Sequence, residues 1–304
     1  MNLPDPHKLL ADSASLINQN QRILNVVFPE NCGFDPTILV PRQLTGTEQL
    51  SEDYSYELEL SCIDATLPAK YLHGLPIGVT ILLDNGATRA ICGVITHVHK
   101  GQSNGGDLPI LVTFTSALGL MQHWHDSRYF HAKTIPDILV LLLQELQDRH
   151  PGSQAAFRTE NRLTKTYPAR DLTGMYRESA YQVFMRLSKF RGIGFRFTHA
   201  IENGLPVHTL ILFDDPYSFN EITQNNGEVR FHRTDATEDT DSLDHWESER
   251  STQPASTTLN SWVYQTSHID HSTELTWMEL GDTAPAPRRL RPPDQPLRRR
   301  TRTG

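Results

Sequence analysis

The sequence predicts a mainly β protein of the α+β class, built as two β-rich domains, each a small barrel or curved sheet with a helix packed on it. Three observations lead there. Short runs of period-2 alternation recur along the chain between turn residues. Two stretches, beginning at Thr134 and Ser179, switch to helical spacing behind a capping residue. The 304 residues, 38% of them hydrophobic, suit roughly two domains.

Residues 1–20 form a polar lead-in. Strands are expected at Arg22–Phe28, Thr37–Gln43, Tyr54–Cys62 and Val79–Leu83; in the third, Tyr54, Tyr56, Leu58, Leu60 and Cys62 share one face. Asp84-Asn85-Gly86 marks a hairpin, because Asn-Gly supplies the positive φ angles of a type I′ turn. Arg89–His99 follows, and Gly105-Gly106-Asp107 turns the chain again before Ile110–Thr115. Residues 21–127 thus read as a hairpin-rich antiparallel sheet curled into a barrel. Thr134 then caps a helix with Asp137 in the capping-box position and Ile138, Leu139, Leu142, Leu143 and Leu146 as its stripe; Gly152-Ser153 is expected to break it. A strand is expected near Leu163–Tyr167. Ser179 caps the next helix with Gln182 three residues on. Val183, Phe184, Leu187 and Phe190 make its apolar face, and Gly192 stops it in the left-handed conformation. Ile193, Phe195 and Phe197 then alternate with Gly194, Arg196 and Thr198, and His208–Phe213 is a further strand. Strands at Glu228–His232 and Leu243–Glu249 flank an acidic loop, Asp235–Asp241, and Thr258–Thr266 is another. Residues 128–283 make the second α+β domain with an incomplete following segment. From Ala284 to Gly304 the chain is rich in Pro and Arg and reads as disordered.

The formal charge of −8 gives no case for a nucleic-acid binder. Cys32, Cys62 and Cys92 are odd in number and lack a C-x-x-C frame, which suits free thiols in a reducing compartment. The N-terminal MNLPDPHKLLADSASLIN has no basic region followed by an apolar one, and the longest apolar run, Ile138–Leu143, is too short for a bilayer. The expectation is a protein soluble in the cytoplasm with no membrane anchor. His97 and His99 share a strand face, and His123, His125 and His131 cluster around Trp124, yet no H-E-x-x-H frame accompanies them. They read as surface or half-buried imidazoles. No G-x-S-x-G elbow or Walker A sequence occurs, and Gly192-x-Gly194 leads into a strand, the wrong context for a dinucleotide loop. Asp214 and Asp215 follow a strand on opposite faces and read as loop-solvating. In Arg177-Glu178-Ser179 the serine caps and the glutamate lies near the positive helix end. No catalytic residue, metal or cofactor is assigned. The residues singled out are structural: Ser179, Gln182, Phe184, Leu187, Gly192, Thr134 and Asp137.

The stretch Met175–Thr198, MYRESAYQVFMRLSKFRGIGFRFT, closely resembles the "YRES…L…G…F" segment of the VgrG family, the spike-tip proteins of type VI secretion systems and relatives of contractile-phage baseplate hubs. Upstream, Leu44–Glu52 and Tyr54–Leu58 resemble the family's "G-x-E-x-L-S" turn and "Y-x-L" strand. Gly93-Val94-Ile95-Thr96 resembles its "G-x-V-T" strand, and Asp126–Phe130 with Lys133–Leu139 its "D-S-R-x-F…K-x-x-x-D-I-L" junction. These elements run in family order from about Gln21 to Phe213. Ser188-Lys189-Phe190-Arg191 departs by reversing an acidic run usual before the glycine. Family members also continue into an oligosaccharide-binding-like barrel and a β-helical needle, whereas here the pattern fails at about Gly281. The chain therefore reads as an N-terminal hub region, with a frame-shifted terminus as one origin.

The resemblance implies a homotrimer in which two similar hub domains per subunit make a pseudo-six-fold ring on the Hcp tube. Such a ring carries the spike, with an effector or spike extension as further partner, and leaves the cytoplasm through the type VI apparatus without catalysing turnover. A phage or prophage tail hub is the alternative of the same class. The alternative of another class is a glycan-acting enzyme on a β-barrel scaffold, which requires two carboxylates at catalytic separation.

Overall fold

The chain divides into two units, residues 1–221 and 222–304. A computed structural model describes residues 22–64, 66–83, 86–102, 108–215, 230–231, 242–243, 245–248, 256–262 and 270–276. The lead-in, the Gly105-Gly106 turn, the acidic loop and the Pro/Arg-rich tail lie outside them, as do Asp84 and Asn85 of the first hairpin signal.

Alternation builds the first half. β1 (Leu24–Val27), β2 (Leu39–Thr47), β3 (Ser55–Cys62), β4 (Pro76–Leu82), β5 (Thr88–Lys100) and β6 (Leu108–Thr115) form one antiparallel sheet in the order β1-β4-β5-β6-β3-β2. The two edge strands, β1 and β2, come back into contact, so the sheet curls into a nearly closed barrel. In β3 every second residue, Tyr56, Leu58, Leu60 and Cys62, is buried and Glu57 and Glu59 face out. Pro41 is tolerated because β2 is an edge strand with a register shift beside it. At Gly93 a Cβ would stand 2.5 Å from the Thr115 carbonyl oxygen, so only glycine lets β5 pass this close to β6.

The second half opens with a 3-10 segment, Ala117–His123, whose N-cap Ser116 accepts from the Leu118 amide. Then come β7 (His125–Lys133), α1 (Ile135–Arg149), α2 (Pro151–Gln154), β8 (Phe157–Arg162), β9 (Arg170–Ser179), α3 (Ala180–Arg191), β10 (Gly194–Glu202) and β11 (Leu205–Phe213). β10, β11 and β8 make a three-stranded sheet in which β8 runs parallel to β11, and β7 and β9 pair as a separate antiparallel ribbon. α1 begins in a reciprocal box: the Asp137 amide donates to Thr134 Oγ1 at 3.2 Å and the Thr134 amide to Asp137 Oδ2 at 3.2 Å. α3 has the same device, with the Gln182 amide donating to Ser179 Oγ at 3.2 Å and the Ser179 amide to Gln182 Oε1 at 2.9 Å. Gly192 ends α3 at φ 64°, where any side chain would be strained. Ser179→Ala removes one of these bonds and is expected to cost about 1 kcal/mol in a denaturant melt; an unchanged midpoint would refute a stabilising role for the cap.

The interior gathers in two clusters, one inside the barrel strands and one where α1, α3 and the three-stranded sheet meet; Phe197 packs against both. Both long α-helices belong to the second cluster. In the 222–304 unit, Arg230–Phe231 (β12) pairs in parallel with Ser242–Leu243 (β13), and Ser256–Trp262 (β14) pairs antiparallel with Asp270–Thr276 (β15). No helix among the described residues is long and apolar enough to cross a membrane.

Several expected elements lie elsewhere. The strand placed at Leu163–Tyr167 is instead β8, six residues earlier; the later segment is a loop held by Asp214. Gly152-Ser153 does not break a helix. The break falls at His150, because Pro151 cannot continue α1 but suits the first turn of α2. The Leu243–Glu249 strand is shorter, since residues 245–248 lie outside any strand. Phe190 is not part of a buried face: it is 62% exposed, with the Arg170 and Arg191 guanidinium groups 5.2 and 5.3 Å from its ring. The stripe of α3 is buried through Leu187 and gives way to cation–π contacts in the last turn.

Candidate functional site

Several buried and half-buried polar groups of the main unit gather at the seam between its two apolar clusters. Phe195, Phe197 and His199 have the same parity on β10, so the imidazole is carried inward with the two rings. Its Nδ1 accepts the Cys92 amide of β5 at 3.1 Å, which leaves the proton on Nε2, 4.0 Å from Glu48 Oε1. Glu48 in turn pairs with Arg89 at 2.9 Å. Burial pushes the His199 pKa down to about 4 despite the nearby Glu48. Tyr54, edge-on to Phe197 at 4.9 Å and to His199 at 5.2 Å, donates its hydroxyl to the Cys92 carbonyl. The Cys92 thiol donates to the Ala200 carbonyl at 3.5 Å, and burial lifts its pKa to about 12.

Two further contacts complete the seam. The Ser51 amide donates to the Phe195 carbonyl at 2.9 Å and the Phe195 amide returns to Ser51 Oγ at 3.2 Å. On the other side of β11, His208 is wholly buried against Phe157, and its Nε2 accepts the Ala117 amide at 3.0 Å. Its Nδ1 has no hydrogen-bond partner. Burial, with His199 adding a smaller push, takes this pKa down to about 3. Asp53, which accepts the Tyr54 amide at 3.0 Å, moves the opposite way: burial raises it to about 6 although hydrogen bonds from Ser116 pull it down.

Chemically this is a lock. Both imidazoles spend their acceptor nitrogen on a backbone amide, Cys92 holds its proton, and Tyr54 caps a carbonyl. A cleft of about 360 Å³ opens beside the seam, lined in part by Glu48, Glu52, Arg89 and Arg196. Its carboxylates are engaged, Glu48 with Arg89 and Glu52 with Lys189 at 3.5 Å. Among the described residues no three His, Cys, Asp or Glu side chains converge as metal ligands.

Of the residues singled out in the sequence, Phe184 touches this seam through Phe195 and the helix caps do not take part in its hydrogen bonds. Thr134 and Asp137 start α1, and Ser179 and Gln182 start α3. Phe184 and Leu187 are buried on α3, Phe184 edge-on to Phe195 at 5.5 Å. His97, His99, His123, His125 and His131 are all exposed. Asp214 corrects the expectation of a loop-solvating residue. It is buried, and it accepts from the Thr164 amide at 2.9 Å, the Lys165 amide at 2.8 Å and the Tyr167 hydroxyl at 2.9 Å. Burial alone would raise its pKa, but these donors outweigh it and hold it at about 2. Asp214→Ala strands these donors together with the Thr164 hydroxyl and is expected to cost on the order of 2 kcal/mol; a melt that matches wild type would show the loop has another anchor.

A barrel locked to a helix-bearing half, with the polar groups of the seam turned toward one another, is built to hold its shape. Residues 47–295 match the phage tail baseplate hub (GPD) family, and the chain belongs to that family. The type VI secretion system spike protein VgrG1c of Pseudomonas aeruginosa is 26% identical over 251 residues, 82% of this chain and 32% of that protein. The spike protein VgrG3 of Vibrio cholerae is 25% identical over 191 residues, 60% of this chain and 18% of that protein. Among solved structures, the E. coli c3393 protein, a component of the type VI secretion system, aligns with TM-score 0.49 and 22% identity over 60% of this chain and 50% of that one. The chain spans about a third of the length of its similar Pseudomonas relatives.

Proposed function

We propose that the chain is a structural hub component of a contractile injection apparatus of the type VI kind, without catalytic turnover or cofactor. It forms a homotrimer, docks on the Hcp tube and carries the puncturing tip, with an effector or spike extension as a further partner. It is made in the cytoplasm and leaves through the apparatus it belongs to. The family match over residues 47–295 carries this reading, supported by likeness to spike proteins across most of the chain. Three copies of a chain with two β-rich hub domains offer six comparable edges, which suits stacking on a hexameric tube.

Sedimentation with and without Hcp tests it. A trimer or an Hcp complex is expected, weak rather than tight, through interfaces of roughly 1,200–2,000 Å². A strict monomer that ignores Hcp would sink the proposal, and hydrolysis of peptidoglycan by the purified chain would move the case to a glycan-acting enzyme. The family description itself favours one second reading, a hub in a phage or prophage tail; neighbouring tail genes in place of secretion genes would establish it.

A further inference from the structure

Two surfaces of the main unit carry charge that nothing among the described residues answers. One is the outer face of the β7–β9 ribbon. The inner face buries Phe130, Thr173 and Met175. The outer rows are Ser127 opposite Tyr176, Tyr129 opposite Gly174 and His131 opposite Leu172. Tyr129 and Tyr176 are 61% and 62% exposed, a concentration of aromatic surface that a solvated ribbon does not need. Arg177 lies 5.3 Å over the Tyr176 ring and Arg170 5.2 Å over the neighbouring exposed Phe190. Neither guanidinium has a carboxylate partner among the described residues. The ribbon also holds two non-glycine residues at positive φ, Ala132 at 48° and Arg177 at 52°, the second where its register shifts. Such strain persists where a particular surface shape is kept.

The other surface is the outside of the barrel. Glu57 and Glu59 stand two residues apart on β3, both exposed. Their cross-strand neighbours are Thr45 and Gln43 on one side and Thr113 and Leu111 on the other, none of them a cation. Neither glutamate has a basic partner among the described residues.

We infer that the ribbon of one copy docks on the Glu57–Glu59 face of the next copy, Arg177 meeting the two glutamates beside a contact filled by Tyr129 and Tyr176, and Arg170, roughly 20 Å along the strand, adding positive charge at its rim. This rests on the homotrimer proposed above and adds the surfaces and the sense of the contact. Aromatic residues and arginine are the types enriched at the centre of protein interfaces, and arginine pairs with carboxylates through two parallel hydrogen bonds. One face meets a different face, so the contact is head-to-tail and not a two-fold pair; in the homotrimer proposed above it closes as a ring.

Charge reversal on the full chain tests this by sedimentation over a concentration series. Arg170→Glu/Arg177→Glu is expected to weaken self-association at least about tenfold, and Glu57→Arg/Glu59→Arg likewise. Mixing the two variants is expected to restore association, because each then offers the charge the other lacks. Raising salt from about 0.05 M to about 0.5 M is expected to weaken the wild-type contact. Thermal melts of each variant, all at exposed or half-exposed positions, establish that it is folded. A trimeric wild type whose variants still trimerise overturns the surface and leaves the homotrimer standing. Variants that lose association without rescue on mixing also overturn the pairing. If the ribbon variant loses Hcp binding alone, the ribbon faces the tube and not a neighbour. A wild type that stays monomeric throughout overturns the homotrimer and this inference with it.

Discussion

Replacing Phe184 by alanine lowers stability by about 3–5 kcal/mol, the usual cost of deleting a buried aromatic ring. Phe184 is fully buried, belongs to the cluster formed by α1, α3 and the three-stranded sheet, and meets Phe195 edge-on at 5.5 Å with rings tilted by 70°. The cavity cannot collapse easily, because the close-packed cluster that holds Phe184 is built largely from α1 and α3, both of which start in capping boxes. Phe190→Ala is the internal control. It changes the same helix by the same atoms, but at an exposed ring, and is expected to cost a small fraction of the Phe184 value. Equal losses at the two positions in a denaturant melt would mean that α3 does not bury the face assigned to it.

Acid destabilises the protein between pH 6.5 and pH 4 by on the order of 3 kcal/mol. The two seam histidines have folded pKa values of about 4 and about 3, below the unfolded 6.5. In that window the unfolded chain binds protons that the folded chain refuses, so stability falls as pH falls. Asp53 works against them: its folded pKa of about 6 exceeds the unfolded 3.8, so below pH 6 the folded state takes up a proton the unfolded state does not. Two imidazoles against one carboxyl leave about one net proton, roughly 1.4 kcal/mol per pH unit. His208→Gln keeps an acceptor within reach of the Ala117 amide but cannot titrate, and the acid slope should flatten by one proton. Stability that stays level from pH 6.5 to pH 4.5 in the wild type would overturn the buried, neutral state of these rings.

How legible was this in the chain? The helices were, because Thr134 and Ser179 each announce a start with a partner three residues on, and Leu or Phe recurs at helical spacing behind them. The barrel strands were, because one buried face imposes strict alternation, as in Tyr56, Leu58, Leu60 and Cys62. β7 and β9 were not recognised as strands. Both faces of the ribbon carry large side chains, and the register shift at Asp126/Ser127 breaks the period. β8 was displaced because an edge strand needs to bury only Phe157, so its remaining residues look like loop, while Leu163 and Tyr167 look like strand and pack from a loop. The seam histidines were missed because the abundance of histidine favoured a surface reading. A signal was present: His208 shares parity with Leu210 and Leu212, and His199 with Phe195 and Phe197. Asp214 gave no comparable sign, since its donors come from a loop some 50 residues away.

The clamp between Ser51 and Phe195 joins positions 144 residues apart. During synthesis the barrel strands leave the ribosome complete while that partner is still unmade. At translation speeds of roughly 5–20 residues per second, the wait lasts on the order of ten seconds. Through that interval Tyr54 and the Cys92 amide face water, and the nascent barrel offers an uncovered flank to whatever chaperone or neighbouring chain is at hand.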